Sequence, residues 1–368
     1  MIKIAYITRV TIPNKVAQAA QITSMCKAFH DNFGNDFMLV STSKEDYYLD
    51  NLSFNRKIIK IKTTNSVLKN IFFSFKICFF LMKHEVKHIY TRDLLISLLS
   101  SVFFKIPTCY EAHQPMRSFP SRVLQSIVAK NKFYNLVTIT RSLKDYYEKK
   151  NSYKNEITVI PNGAYLDDYK TTKTKNELRK ELGFRIDDFV IVHTGSLFEN
   201  RGFEKFKVIL KNFPKIKLIQ LGGNLQDIDK LKTKLHSFKN IQFIDYQPKN
   251  IVAKYQLAAD LLLYLTSKKS PIYWCTSPNK IFEYMATNNP ILAPNLGSIP
   301  EILNKSNSFM FNIDDDTDLI NRITTIINKN NKVITDKAYN EVISNYNMTE
   351  RVNKIKNLLL ISENSSKN

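Results

Sequence analysis

Strand-like runs alternate with helical patterns along the whole of this chain, and no other feature constrains its fold so tightly. In the first half the runs fall at 3–7, 37–41, 58–61, 88–90, 108–111, 136–139 and 157–160. In the second they fall at 189–194, 217–221, 241–244, 261–264, 291–293 and 308–311. Such alternation specifies parallel sheets covered by helices on both faces. Two series, meeting near Asn162-Gly163-Ala164, specify an α/β protein of two doubly wound, Rossmann-like domains facing a cleft. Ligands in such sheets sit at the carboxyl ends of the strands. The expected division is 1–163 and 164–345, then a helix over 346–361 returning to the first domain, then a disordered polar tail over 362–368.

Length agrees with two domains, since 368 residues exceed the size at which one core stops growing. Residues 1–7 read as a first strand and not as a signal peptide, because no long apolar region or small-residue cleavage site follows. Cys26, Cys78, Cys109 and Cys275 are scattered without a C-x-x-C pair, which suggests neither a disulfide framework nor a zinc site. A cytoplasmic location is expected.

The net charge of +21 is unevenly placed. Residues 51–132 hold 14 Lys and Arg against Glu85, Asp93 and Glu111, a net of +11, whereas 1–50 and 133–168 each balance to zero. Plotted as a helix, 67–88 gathers Lys69, Lys76, Lys83 and Lys87 on one stripe, with Phe72, Phe75, Phe79, Phe80 and Met82 over much of the rest. Its apolar runs are too short to span a bilayer, which takes ~20 residues. Two readings follow: a helix packed on a sheet with its lysines in water, or a surface that also meets anionic lipid. The apolar stretch 94–106 is open to the same two. A nucleic-acid partner is not expected, because no helix-turn-helix, zinc-finger or RNP signature occurs.

The segment Ser277-Pro278-Asn279-Lys280-Ile281-Phe282-Glu283 reads as a loop entering a short helix, which then leads to a buried strand. Backbone N–H groups at a helix start suit phosphate, and Glu283 can accept two ribose hydroxyls. Asp314-Asp315-Asp316 looks like a metal signature but follows a strand with no second carboxylate cluster, so it reads as a helix cap.

In this order, the pieces resemble a family-4 retaining glycosyltransferase of the GT-B fold, nearly end to end. Ile160-Pro161-Asn162-Gly163-Ala164 is similar to that family's interdomain crossing, and Thr194-Gly195-Ser196-Leu197 through Arg201-Gly202 to its phosphate clamp. Leu221-Gly222-Gly223, Ala259-Asp260 and Ser277–Pro290 correspond to its next glycine pair, a buried-strand entry and its donor helix. Tyr90-Thr91-Arg92-Asp93 and Tyr110-Glu111-Ala112-His113 correspond to segments facing the acceptor and the reacting carbon.

The resemblance implies transfer of a hexose-type sugar from a nucleotide-diphosphate sugar to a glycan or lipid-linked acceptor. It further implies retention, no metal and no other cofactor, and a place in surface polysaccharide or glycolipid synthesis, cytoplasmic or peripheral on the inner membrane face. Arg201 would clamp the diphosphate with Lys280 as second cation, Glu283 would take the ribose, and His113 would contact the transferred sugar. Gly195, Ser196, Gly222, Gly223, Thr276, Ser277, Pro278 and Asn279 would line the donor. Asn14, Lys15, Arg92, Glu111 and Asn162 would lie toward the acceptor. Each has a plainer account: a solvated charge for Arg201 and Lys280, a first-turn acid for Glu283, a structural His113, a simple turn at Gly222-Gly223.

The chain departs from the pattern at three places. Cys275 stands where the first of two paired glutamates falls, Ser196 where a cation often follows the clamp glycine, and the loop at 11–15 has no glycine. Competing classes are a nucleotide-sugar epimerase on the same scaffold and an inactive donor-binding scaffold.

Overall fold

The computed structural model of the chain describes residues 2–12, 17–43, 54–60, 66–198 and 200–367. They form two compact units: unit 1 comprises the chain up to Pro161 together with the segment from Met348, and unit 2 is Asn162–Asn347.

In unit 1 the order is β1 (Ile2–Thr11), α1 (Ala17–Phe33), β2 (Phe37–Ser43), β3 (Asn55–Lys60), α2 (Ser66–Lys83) and β4 (Val86–Thr91). Then follow α3 (Leu94–Leu98), β5 (Thr108–Ala112), α4 (Phe119–Ala129), β6 (Tyr134–Thr138), α5 (Arg141–Glu148) and β7 (Thr158–Val159). A π-helical turn, Leu99–Phe103, extends α3. Unit 2 contains α6 (Lys175–Glu181), β8 (Val190–Thr194), α7 (Glu204–Asn212), β9 (Lys217–Leu221), α8 (Leu225–Lys234), β10 (Ile241–Ile244) and α9 (Lys249–Ala258). It continues with β11 (Leu261–Leu263), α10 (Asn279–Met285), β12 (Ile291–Pro294), β13 (Phe309–Phe311), α11 (Asp316–Asn328) and α12 (Lys332–Asn345). The last helix, α13 (Met348–Lys367), belongs to unit 1.

Both sheets are parallel throughout, with orders β3-β2-β1-β4-β5-β6-β7 and β10-β9-β8-β11-β12-β13. Their central strands, such as β6, β8, β11 and β12, are buried on both faces, which is why most of them read as near-continuous apolar runs. On β1, Ala5 and Ile7 pack with Phe73, Ile77 and Phe80 of α2. Tyr6, pointing the other way, meets Phe29 of α1 and Tyr90 of β4. Unit 2 repeats the arrangement, with Val190 and Val192 facing α10 while Ile191 faces α7.

Local signals set the boundaries. Asp93 caps α3 by accepting from the N–H groups of Leu95 and Ile96 at 3.0 and 3.1 Å. Thr174 and Glu177 close a capping box on α6. Asp315 caps α11, accepting from Thr317 and Asp318, while Asp314 and Asp316 pair with Lys268 and Lys205. Among the described residues no His, Cys, Asp and Glu cluster into a metal-binding group.

One local expectation is corrected. The helix plotted over 67–88 ends at Lys83, and Val86 already belongs to β4. Within the described residues α13 runs on to Lys367, and neither Gly nor Pro stands in it to stop the helix.

Candidate active site

In each sheet the strand order reverses once, and the candidate residues gather at those two reversals. In unit 2 the reversal lies between β8 and β11. Gly195, just past β8, has φ +109°, and an added Cβ would sit 2.7 Å from Lys280 Nζ. Only glycine therefore lets that ammonium reach the strand end, where it donates to the Thr194 carbonyl. Gly222 lies against the Gly195 backbone, and Gln220 ties both loops by donating to the Gly195 and Gly222 carbonyls at 3.0 and 2.9 Å. Gly223 packs on the Leu197 side chain.

Lys280 and Arg201 form no ion pair with any described residue. Burial first, and Arg201 second, push Lys280 down to about 7, against the pull of Glu283. Arg201 lies over the Phe198 ring, its guanidinium carbon 5.2 Å from the centroid. Behind them stands His193 on β8, whose Nδ1 shares a 2.7 Å hydrogen bond with Gln220 Oε1. Burial, then Lys280, hold His193 neutral. Two neighbouring cations that form no ion pair among the described residues suit an anion.

Glu283 lies on the second turn of α10, so a first-turn preference does not explain it. Its Oε1 is 2.5 Å from Lys249 Nζ, and Gln256 Nε2 donates to Oε2 at 3.4 Å. Burial opposes its ionisation, but Lys249 and Gln256 outweigh it and lower the carboxyl below the usual range. Lys249 also lies over the Tyr169 ring.

The loop before α10 is held from behind. Asn162 N–H donates to Ser277 Oγ at 3.0 Å, and Asn162 Nδ2 donates to the Ser277 carbonyl at 2.5 Å. Asn162, expected toward the acceptor, is buried and braces the Ser277–Pro278 loop. Thr276 is fixed similarly, its carbonyl accepting from Ser298 Oγ at 2.6 Å. Asn279 begins α10, and its buried Oδ1 has no hydrogen-bond donor among the described residues. Cys275 is fully buried, so at this position the chain presents a core residue. Ser196 remains partly exposed beside Gly195. A 650 Å³ cavity opens next to Leu197 and Asn200, but neither Arg201, Lys280 nor Glu283 lines it.

In unit 1 the reversal lies between β1 and β4. Glu111, at the end of β5, is buried and joined by Tyr90 Oη, Arg92 Nη2 at 2.9 Å, Arg351 Nη2 and His113 Nε2. Burial opposes its charge, but Arg351 and Arg92 hold the carboxyl well below the carboxylate range. Glu111, expected toward the acceptor, thus has both oxygens engaged inside the unit. What it does is orient His113. Burial and then Arg92 push that imidazole down to about 4, so it is neutral near pH 7. Its Nε2–H points at Glu111, which leaves Nδ1 as an acceptor. Arg92 serves the same network. Asn14 and Lys15 lie outside the described residues.

Lys249, Gln256, His193, Gln220 and Arg351 were not singled out in the sequence. Only Arg351 carried a cue, as a cation on the helix expected to return to unit 1.

The two parallel sheets and their strand orders define a two-domain α/β protein of the GT-B type. Over residues 188–329 the chain matches the family model described as Glycosyl transferases group 1. It is 24% identical over 217 residues to a UDP-Gal:alpha-D-GlcNAc-diphosphoundecaprenol alpha-1,3-galactosyltransferase of Escherichia coli, covering 56% of this chain and 54% of that protein, so the match spans about half of the relative's length. HepE of Anabaena, solved in complex with UDP and glucose, superposes with a TM-score of 0.77 at 18% identity, covering 98% of this chain and 99% of that one. Sucrose-phosphate synthase of Thermosynechococcus elongatus gives 0.79 at 14%, covering 98% and 100%. The GT-B fold expected from the sequence is the fold found.

Proposed function

We propose that this protein transfers a hexose-type sugar from a nucleotide-diphosphate sugar to a lipid-linked or glycan acceptor. The observation that carries this reading is the pair Arg201 and Lys280, neighbouring cations that form no ion pair among the described residues, with Lys280 reaching the end of β8 against Gly195. A diphosphate leaving group gains negative charge as the glycosidic bond breaks, so cations aimed at it stabilise the transition state more than the ground state. Glu283, held by Lys249 and Gln256, offers its remaining lone pairs to ribose hydroxyls. In this account side-chain cations perform the charge neutralisation that a divalent ion would otherwise supply. Retention at the anomeric carbon follows from the resemblance of the motifs. Support for the donor and acceptor classes comes from the relatives: one named for a UDP-galactose donor and a diphosphoundecaprenol-linked acceptor, another solved with UDP and glucose.

The test is transfer from a panel of nucleotide sugars to a diphosphopolyprenyl-linked sugar, with product stereochemistry read by NMR. Turnover with retention, undiminished by a chelator, is expected. An inverted product, or activity that a chelator removes and one divalent ion restores, would overturn the mechanism. The buried Cys275 favours a second reading, a donor-binding scaffold without turnover. Tight binding of one nucleotide with no transfer to any acceptor would establish that reading instead.

A further inference from the structure

Eleven large apolar side chains of unit 1 stand in solvent among the described residues, and nine of them lie on one helical layer. Leu68, Phe72, Phe75, Phe79 and Met82 follow one another along α2 at spacings of four and three, a single stripe. Phe119, Val123 and Ile127 form a second stripe on α4, and Phe103 projects from the turn after α3. Four of these are phenylalanines at 68–75% exposure, far beyond what scattered surface residues need.

The topology explains why they share a side. The steps β3 to β4, β4 to β5 and β5 to β6 all run the same way across the sheet. Right-handed crossovers therefore place α2, α3 and α4 on one face, and α3 packs against both neighbours. The step β1 to β2 runs the other way, so α1 covers the opposite face, with α13 against it.

Charge identifies the occupant. Between residues 66 and 130 seven Lys and Arg are exposed, among them Lys76, Lys83 and Arg122, against the single exposed acid Glu85. The side chain of Lys69 lies outside the described residues. A second copy of the chain would set these cations against each other, whereas lipid phosphates pair with them while the phenylalanines enter the acyl boundary. No helix among the described residues is long and apolar enough to cross a bilayer.

We infer that the outer surface of α2, the turn after α3, and α4 is a docking face for an anionic bilayer, which it meets without spanning. This goes beyond the catalytic reading, and its test needs no turnover. The full chain is sedimented with vesicles of phosphatidylcholine, alone or mixed with phosphatidylglycerol. Binding is expected to the mixed vesicles and to weaken with salt. Phe75→Ser with Phe79→Ser should lower the partition coefficient at least about tenfold. Lys83→Gln and Arg122→Gln should each lower it about fivefold, the ratio for ~1 kcal/mol per cation. All four residues are exposed, so the variants should keep the parent melting temperature, and Ile186→Ser, on unit 2, should change nothing. Equal binding to neutral vesicles, or phenylalanine variants that bind like the parent, would overturn the inference. So would a chain that ignores vesicles and instead self-associates through the same phenylalanines, as read by sedimentation velocity.

Discussion

At the scale of single residues, Lys280 makes the sharpest prediction. With its ammonium pushed down to about 7, it is largely neutral at pH 8 in the free protein. A bound diphosphate supplies the missing countercharge and restores the proton. Binding of a nucleoside diphosphate should therefore take up about half a proton at pH 7 and close to one at about pH 8 to 9, and affinity should fall as pH rises above 7. Calorimetry in buffers of different ionisation enthalpy measures the uptake, and Lys280→Arg should abolish it. The same shift acts on stability with a definite sign. The unfolded chain holds the proton up to about 10.5 and the folded chain only to about 7, so this group's contribution improves as pH rises between them. Glu283→Gln should leave the fold intact and weaken nucleotide binding by ~1–3 kcal/mol, the cost of losing hydrogen bonds to a charged group. Unchanged affinity would place the ribose elsewhere.

At the scale of elements, the important event is the return of α13 to unit 1. Arg351 reaches across 240 positions of sequence to Glu111, and both side chains are buried. Removing one member of a buried pair strands the other, so Arg351→Met should destabilise unit 1 by ~3–5 kcal/mol, read as a lower denaturant midpoint. Pairing it with Glu111→Gln should recover part of that loss. Here the limits of sequence reading become physical. Strands such as 190–194 and 261–263 were legible because a strand buried on both faces reads as a near-continuous apolar run. Lys280 and Glu283 were legible because one short loop and helix fix their spacing. Lys249 and Gln256 were not, because they reach Glu283 from a different helix and only the sheet order brings α9 to α10. The same reason hid the internal role of Glu111, whose partners come from β4 and α13. Along α2 the periodicity separated lysines from apolar positions but could not tell a face packed on the sheet from a face in water. The structure divides them: Phe73, Ile77 and Phe80 inward, Phe72, Phe75 and Phe79 outward.

At the scale of the whole molecule, the chain leaves unit 1 at Pro161 and returns to it at Met348, so unit 1 is discontinuous and unit 2 is not. Unit 2 binds its own two ends together. The Ala164 N–H donates to the Tyr346 carbonyl at 2.9 Å, and a Cβ on Gly163 would lie 2.4 Å from that oxygen. Glycine is required there for the entering and leaving segments to lie side by side. Because Asn162 braces Ser277, and Gly195, Arg201, Lys280 and Glu283 all belong to this continuous unit, the nucleotide's contacts are expected there alone. That expectation has a thermodynamic signature. A ligand at a hundred times its dissociation constant stabilises the state that binds it by ~2.7 kcal/mol. A saturating nucleoside diphosphate should then slow hydrogen exchange at the amides of β8, β9 and β11 by up to about a hundredfold, where exchange proceeds through opening of unit 2. Amides of β1, β4 and β5 should exchange at unchanged rates. Equal protection in both sheets would show that the nucleotide draws on unit 1 as well, and protection of unit 1 alone would remove the donor site from the residues assigned to it.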